Sequence, residues 1–466
     1  MRQKFIKPYH LFQHQGGWYI INVEGMFASA IDEVSAGALA KMSSGTDEPI
    51  EPSMEELLEK LGLLEVGGGQ PPKAKKELKK EPLPVINLSL FLTQSCNLRC
   101  VYCYGDGGGY GGGGNMAEQT ALQAIDWLLE QAGKIKKLHI GFFGGEPFLN
   151  FLLMKTVTEY AKQRAHALGK DVAFHTTTNA TLLDDEKIDF IKEHRIDVLV
   201  SFDGSKELQD AQRPYADGEG SYDATVPKIK RLLKVLPQTP GHAVIVGNTD
   251  PKTVKGAMQE IGFTEVSIKP TSQSLFAGGP DATKPDRDTQ HLLQALEEEA
   301  AIWLMLTQSR DSEALQRLKT QSGLYEGLTV LLHNSKKRHA CGAGLELAAV
   351  SAAGDIYLCH RFVGQEQYKL GSVFVKDLIR EEYQKSPVTE SAVCSVCFAK
   401  YYCAGGCKHD NASSTGLTTS PSKDICRLRS RELELAATVI CRLDPEDKAF
   451  LVEHKIFAPK PCPLDF

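Results

Sequence analysis

The 466-residue chain has little of what marks a membrane-spanning, exported or nucleic-acid-binding protein. Its most apolar run, AAIWLML at 300–306, falls far short of the roughly 20 residues that cross a bilayer. The N-terminal MRQKFIKPYHLF lacks the apolar core of a signal peptide, which predicts a cytoplasmic protein with no membrane partner. Neither sign of charge prevails. Lys and Arg number 53 and Asp and Glu 59, a net −6 with no long block of one sign, so nucleic acid is not an expected partner. There is no internal repeat, and no general acid–base pair is evident. The length, about three times the ~150 residues of a typical domain, predicts two or three domains with sizeable cores.

Against these absences stand twelve cysteines. A reducing compartment does not keep disulfides in such number, so the thiols point to metal or redox chemistry. Residues 1–66 read as a small unit: Trp18–Val23 is strand-like, Ser35–Met42 is helical, and Ser53 with Glu56 forms a capping box opening a second helix. That mixture fits a winged-helix type of module. Residues 67–84, GGGQPPKAKKELKKEPLP, cannot build a core and read as a solvated linker.

From Val85 the pattern changes. INLSLFL from 86, LHIGFF from 138, VAFHTTT from 172, DVLVSF from 197, HAVIVG from 242 and EVSIKP from 265 read as strands separated by amphipathic helices. Parallel βα units over 85–320 predict an α/β fold, a partial (β/α)6 TIM barrel open on one side because six units are fewer than eight. A third domain, 321–442, is cysteine-dense and irregular, and a tail follows at 443–466.

The first cysteines, Cys96, Cys100 and Cys103, form a C-x3-C-x2-C run directly after the first barrel strand, on the loops where a parallel barrel places its chemistry. Three close thiolates can clasp a four-iron cluster and leave one iron open; a zinc site is the competing reading. With Tyr102 before the last cysteine, the run resembles the signature of the radical S-adenosylmethionine (SAM) enzymes. The resemblance implies that the open iron takes the amino and carboxylate groups of SAM and that one electron from the cluster yields a 5′-deoxyadenosyl radical. It also implies roles for later residues. Gly144-Gly145-Glu146-Pro147 looks like the segment that meets the SAM amino group, Thr178 and Asn179 fall near the ribose, and Ser201 and Arg213 match positions holding the ribose and the SAM carboxylate. Cys96, Cys100 and Cys103 are thereby the expected catalytic centre, and Cys100→Ala is expected to abolish SAM cleavage. The tract GGGYGGGG at 107–114 is either a flexible connector or a loop that lets a peptide lie close to the cluster. Asp203 is a general base or a turn former.

Cys341, Gly354-x4-Cys359, Cys394-x2-Cys397-x5-Cys403-x3-Cys407 and Cys426 resemble the seven-cysteine SPASM domain of radical SAM peptide-modifying enzymes. The resemblance implies two auxiliary 4Fe-4S clusters, three clusters in all. Cys394, Cys397, Cys403 and Cys426 would hold the outer one, and Cys341, Cys359 and Cys407 the inner one. Two four-iron clusters want eight ligands and the motif offers seven; residues 342–358 contain no further cysteine, so the inner cluster has an open iron unless Cys441 or Cys462 folds back to it. Both are otherwise free thiols, and His360 is expected as a hydrogen-bonded neighbour.

GSYDATVPKI at 220–229 and the stretches 341–364 and 394–407 resemble thioether-forming maturases, namely those of SCIFF peptides, ranthipeptides and the quinohemoprotein amine dehydrogenase subunit. The N-terminal unit resembles a leader-peptide recognition element. Together these imply a cysteine-containing precursor peptide bound through its leader, reduced flavodoxin or ferredoxin as electron donor, and thioether formation as the reaction. Removal of the first 65 residues is expected to spare SAM cleavage and weaken peptide modification. Carbon–carbon cross-linking, epimerisation, formylglycine formation or a non-catalytic cluster-binding role are the alternatives.

Overall fold

The computed structural model describes residues 4–43, 51–66, 83–247, 249–271, 275, 290–319, 322–375 and 387–457. Most of the expected linker and Cys462 in the tail lie outside the described residues.

The N-terminal unit is richer in strands than its sequence pattern suggests. Strand β1 (Lys4–Ile6) pairs with β5 (Leu64–Val66), and β2 (Tyr9–His14), β3 (Gly17–Asn22) and β4 (Phe27–Ile31) form an antiparallel meander; helices α1 (Glu33–Ser43) and α2 (Pro52–Lys60) lie between β4 and β5. The capping box does not form. Helix α2 begins two residues earlier, at Pro52, whose fixed φ suits the first helical position, and Glu51 precedes it without a side-chain cap. Alternation along β3 feeds two cores. Ile20 joins Leu39, Leu58, Leu61 and Leu63 within the unit, whereas Tyr19 and Ile21 join a larger cluster with Trp303, Leu328, Leu433 and Ala436 far along the chain.

All six expected barrel runs form strands: β6 (Asn87–Thr93), β7 (Lys137–Gly144), β8 (Asp171–Thr178), β9 (Asp197–Ser201), β10 (Gly241–Ile245) and β11 (Val266–Pro270). They pair in parallel, each with its neighbour in sequence. Helices α3 (Glu118–Gln131), α4 (Phe151–Ala167), α5 (Asp185–Glu193), α6 (Lys206–Gln212), α7 (Tyr222–Val235) and α8 (Pro251–Ile261) fill the crossovers. Register assigns the two faces. Ile140, paired with Phe174, is buried with Leu88, Leu90 and Phe142 in the core shared with Ile125, Leu128 and Met154 of the helices, each such side chain contributing about 1.5–3 kcal/mol. The alternate residues, among them Phe143, His175, Thr177, Leu199 and Ser201, are only half-buried and line the inner face. Gly141 makes room there: a methyl group on it would sit 2.3 Å from His175 Nε2.

The chain then forms α9 (Gln290–Gln308), α10 (Ser312–Lys319) and α11 (Tyr325–Leu332). The apolar run 300–306 lies in α9 and serves the core, with Trp303 1% exposed. No helix among the described residues is long and apolar enough to cross a membrane.

The cysteine-dense region is more regular than expected. Strand β12 (Leu347–Val350) adds in parallel to the free edge of β6, and β13 (Asp355–Tyr357) and β14 (Lys369–Ser372) follow antiparallel, extending the sheet to nine strands. Runs of three or four residues are too short to register as periodic, and pairing with an existing edge is what holds them. Beyond lie α12 (Lys400–Cys403), α13 (Lys408–Thr415), α14 (Lys423–Arg442) and α15 (Pro445–Glu453).

Candidate functional site

Cys96, Cys100 and Cys103 occupy the loop leaving β6, each half-buried and free. Burial, with a smaller contribution from Glu146, pushes the Cys96 thiol up to about 12; burial also raises Cys100, where it outweighs the opposing charge of Arg213. The end of β7 is laced to this loop. Gly145 N donates to Thr93 O at 3.1 Å and Glu146 N to Ser95 O at 2.9 Å. Both glycines are required by this approach: a methyl group on Gly144 would lie 2.0 Å from Thr93 O, and one on Gly145 2.0 Å from Ser95 O. Gly144 also has φ +138°, a conformation that favours glycine.

Glu146 is 1% exposed. Its Oε1 accepts from Phe148 N (3.2 Å) and from the Thr178 hydroxyl (2.8 Å), and its Oε2 from Asn179 N (2.8 Å). Burial nevertheless outweighs these donors and lifts its pKa to about 7. A cation placed beside it would reverse that shift, which is the behaviour required of a group that meets an ammonium. Thr178 is thus occupied with Glu146. The Asn179 side chain reaches the cysteine loop, donating to Asn97 Oδ1 at 3.0 Å and approaching Cys96 Sγ at 3.8 Å.

Ser201 stands half-buried at the end of β9, paired with His242 of β10. Arg213, 5% exposed, places Nε 3.0 Å from Asp203 Oδ2, donates from Nη2 to Oδ1 at 3.2 Å, and aims Nη1 at Cys100 Sγ, 4.0 Å away. Its guanidinium covers the Tyr102 ring at 5.2 Å, and the Tyr102 hydroxyl donates to Asp203 Oδ2 at 2.5 Å. Burial alone would lower the Arg213 pKa; Asp203 and Tyr102 more than reverse this and hold it charged. Asp203 also accepts from Val244 N (3.1 Å). It is therefore neither a free base nor merely a turn former but the anchor that aligns Arg213 and Tyr102, a role its sequence neighbourhood does not reveal because its partners lie on three other segments.

The glycine tract is folded, which overturns the flexible-connector reading. Tyr110 is 4% exposed with its ring edge-on to Phe91 at 4.9 Å, and a methyl group on Gly108 would lie 2.6 Å from Cys96 Cβ. Gln94, which sequence reasoning missed, is the tie: Nε2 donates to Gly109 O (3.1 Å), its backbone N to Gly114 O (2.8 Å), and its Oε1 accepts from Ala352 N (2.9 Å) of the cysteine-dense region.

The later cysteines gather in two groups. Cys359 is pushed up to about 12, by burial first and then by neighbouring Cys407 and Cys341. Cys426, pushed to about 11 by burial, has Cys403, Cys394 and Cys397 as its electrostatic neighbours. The resemblance assigns the first group to an inner cluster and the second to an outer one. Cys441 belongs to neither; burial among apolar residues pushes it up to about 12, and its charged neighbour is Lys448. His360 is stacked on Phe143 at 4.4 Å and not hydrogen-bonded among the described residues, and burial lowers its pKa to about 3. Among the described residues no three His, Cys, Asp or Glu side chains converge closely enough to hold a single metal ion, the arrangement a zinc site needs, whereas a multi-iron cluster is wider than one ion. Thiols grouped in this way are the donor type that iron–sulfur clusters take.

Comparison with known proteins agrees. Residues 90–261 match the model of the radical SAM superfamily. An uncharacterized protein of Methanocaldococcus jannaschii is 30% identical over 302 residues, covering 64% of this chain and 93% of the relative. A serine-type anaerobic sulfatase-maturating enzyme of Bacteroides thetaiotaomicron is 25% identical over 365 residues, 69% of this chain and 81% of its own. Among solved structures, native anSMEcpe with bound AdoMet and Cp18Cys peptide shares the fold, with a TM-score of 0.60 at 18% identity over 77% of this chain and 98% of that one. The motif loop on β6, the cradle on β7 and the match of the family model together identify residues 90–261 as a radical SAM domain.

Proposed function

We propose that the protein is a radical SAM maturase that installs thioether cross-links, cysteine sulfur to acceptor carbon, in a ribosomally made precursor peptide bound through its leader at residues 1–66. The observation that carries this reading is the three-thiol group Cys341, Cys359 and Cys407 beside a sheet whose inner-face side chains are only half-buried. A soft, under-ligated centre there suits capture of a substrate thiolate.

SAM at a 4Fe-4S cluster on Cys96, Cys100 and Cys103 would supply a hydrogen-abstracting radical. The chain's residues bind and orient. Glu146 takes the ammonium, Gly144 and Gly145 admit backbone close to the ligand, Asn179 and Ser201 flank the ribose, and Arg213, held by Asp203, takes the carboxylate. The folded glycine loop and Tyr110 shield the cluster loop from water. Cys394, Cys397, Cys403 and Cys426 would hold the outer cluster, with reduced flavodoxin or ferredoxin as the source of electrons.

Similarity to sulfatase-maturating enzymes favours a second reading, oxidation of one side chain of a protein substrate to formylglycine. One assay separates the two. Anaerobically reconstituted protein is incubated with SAM, reductant and a cysteine-containing peptide encoded beside its gene. A product lighter by two hydrogens that has lost an alkylatable thiol is expected; a product bearing an aldehyde overturns the thioether reading.

A further inference from the structure

The residues between the two cysteine regions have so far no role. Tyr104 follows Cys103 directly and lies 6.0 Å from the Tyr110 ring and 5.9 Å from the His409 ring. The Arg361 guanidinium sits 5.0 Å over its face. Two residues after Cys359, Arg361 also donates from Nη1 to Cys407 Sγ at 3.4 Å and meets Asp410 Oδ1 with Nη2 at 2.9 Å. One side chain thus touches both a thiol of the inner group and the ring adjoining the SAM-cluster loop.

The surroundings are asymmetric. Lys408, 9% exposed, adds a second cation beside Cys341 and Cys407. In the outer group no thiol receives a hydrogen bond from an arginine or lysine among the described residues, although Lys400 lies near Cys397. Each electron added to a cluster adds negative charge, so a cationic donor on a ligating sulfur favours the reduced form and raises the potential. Asp410 offsets part of the Arg361 charge, which leaves the directed N–H to sulfur as the larger influence.

We propose that Arg361 makes the inner auxiliary cluster easier to reduce than the outer one and, through its contact with Tyr104, ties that cluster to the loop of the SAM-cleaving one. This rests on the reading that Cys341, Cys359 and Cys407 hold the inner cluster. Arg361 is a positioning and potential-setting residue, since it touches a ligand and not the substrate.

The test is a potentiometric titration followed by electron paramagnetic resonance, with iron counted, on the fully reconstituted chain without peptide. In Arg361→Gln the inner midpoint falls by at least the equivalent of a tenfold change in the one-electron equilibrium, about 59 mV, while the outer midpoint holds. Arg361→Lys retains the charge without the planar fork and falls by less. An unchanged inner midpoint in Arg361→Gln carrying three clusters overturns the inference. If that variant does not load fully, a midpoint in Arg361→Lys equal to wild type overturns it. A wild-type protein holding fewer than three clusters overturns instead the ligand reading on which it rests.

Discussion

A carboxylate enclosed like Glu146 is costly to ionise, and its pKa near 7 records that cost. Below this value the group is protonated and offers an ammonium no counter-charge; above it the charged pair forms. SAM affinity is therefore expected to rise between about pH 6 and pH 8 in the wild type, whereas Glu146→Gln binds roughly tenfold or more weakly, about 1.4 kcal/mol, with a flat profile. Isothermal titration of reconstituted protein measures both. The same residue-by-residue logic separates cysteines that look alike in sequence. Cys359→Ala is expected to lower bound iron and Cys441→Ala to leave it at the wild-type level, because among the described residues Cys441 has apolar neighbours and no thiol acting on it electrostatically; an iron assay after anaerobic reconstitution decides it.

At the scale of elements, the ends of successive strands meet in one place. Gly144-Gly145-Glu146 stands out in the sequence at the end of a strand, but the need for glycine comes from Thr93 O and Ser95 O of the neighbouring segment, each 2.0 Å from where a methyl group would lie. Gly145→Ala must push the cysteine loop aside, and a loss of SAM-cluster iron together with a lower unfolding temperature is expected. Gly109→Ala is the matched control: its new methyl group meets nothing closer than 3.5 Å, and both quantities should stay within error of wild type. The short strand β12 carries a related lesson. It was invisible as a pattern because four residues cannot show a period, yet it extends the sheet and, through Gln94 and Ala352, fastens the glycine loop to the cysteine-dense region.

For the whole molecule, the N-terminal unit is less separable than its sequence suggests. Phe12, Tyr19, Ile21, Val23 and Met26 share a core with Trp303, Leu328 and Leu433, and Tyr401 and Lys400 bind Glu24 at 3.0 and 2.9 Å. Deleting residues 1–66 would strip apolar surface from α9, α11 and α14. The truncated chain is expected to melt at a lower temperature and to aggregate, contrary to the expectation that it simply loses peptide docking; calorimetry with light scattering tests this. What the sequence determined by itself was local: the strands from their short apolar and β-branched runs, the cluster loop from C-x3-C-x2-C, and the cradle from its glycines. Each of these is set by residues close together in the chain. The tertiary structure decided the pairing of Arg213 with Asp203, the separation of Cys441 from both thiol groups, the folding of the glycine tract and the reach of Arg361 from Cys407 to Tyr104. These depend on distance and burial between segments that are remote in the chain, and neither quantity is carried by spacing.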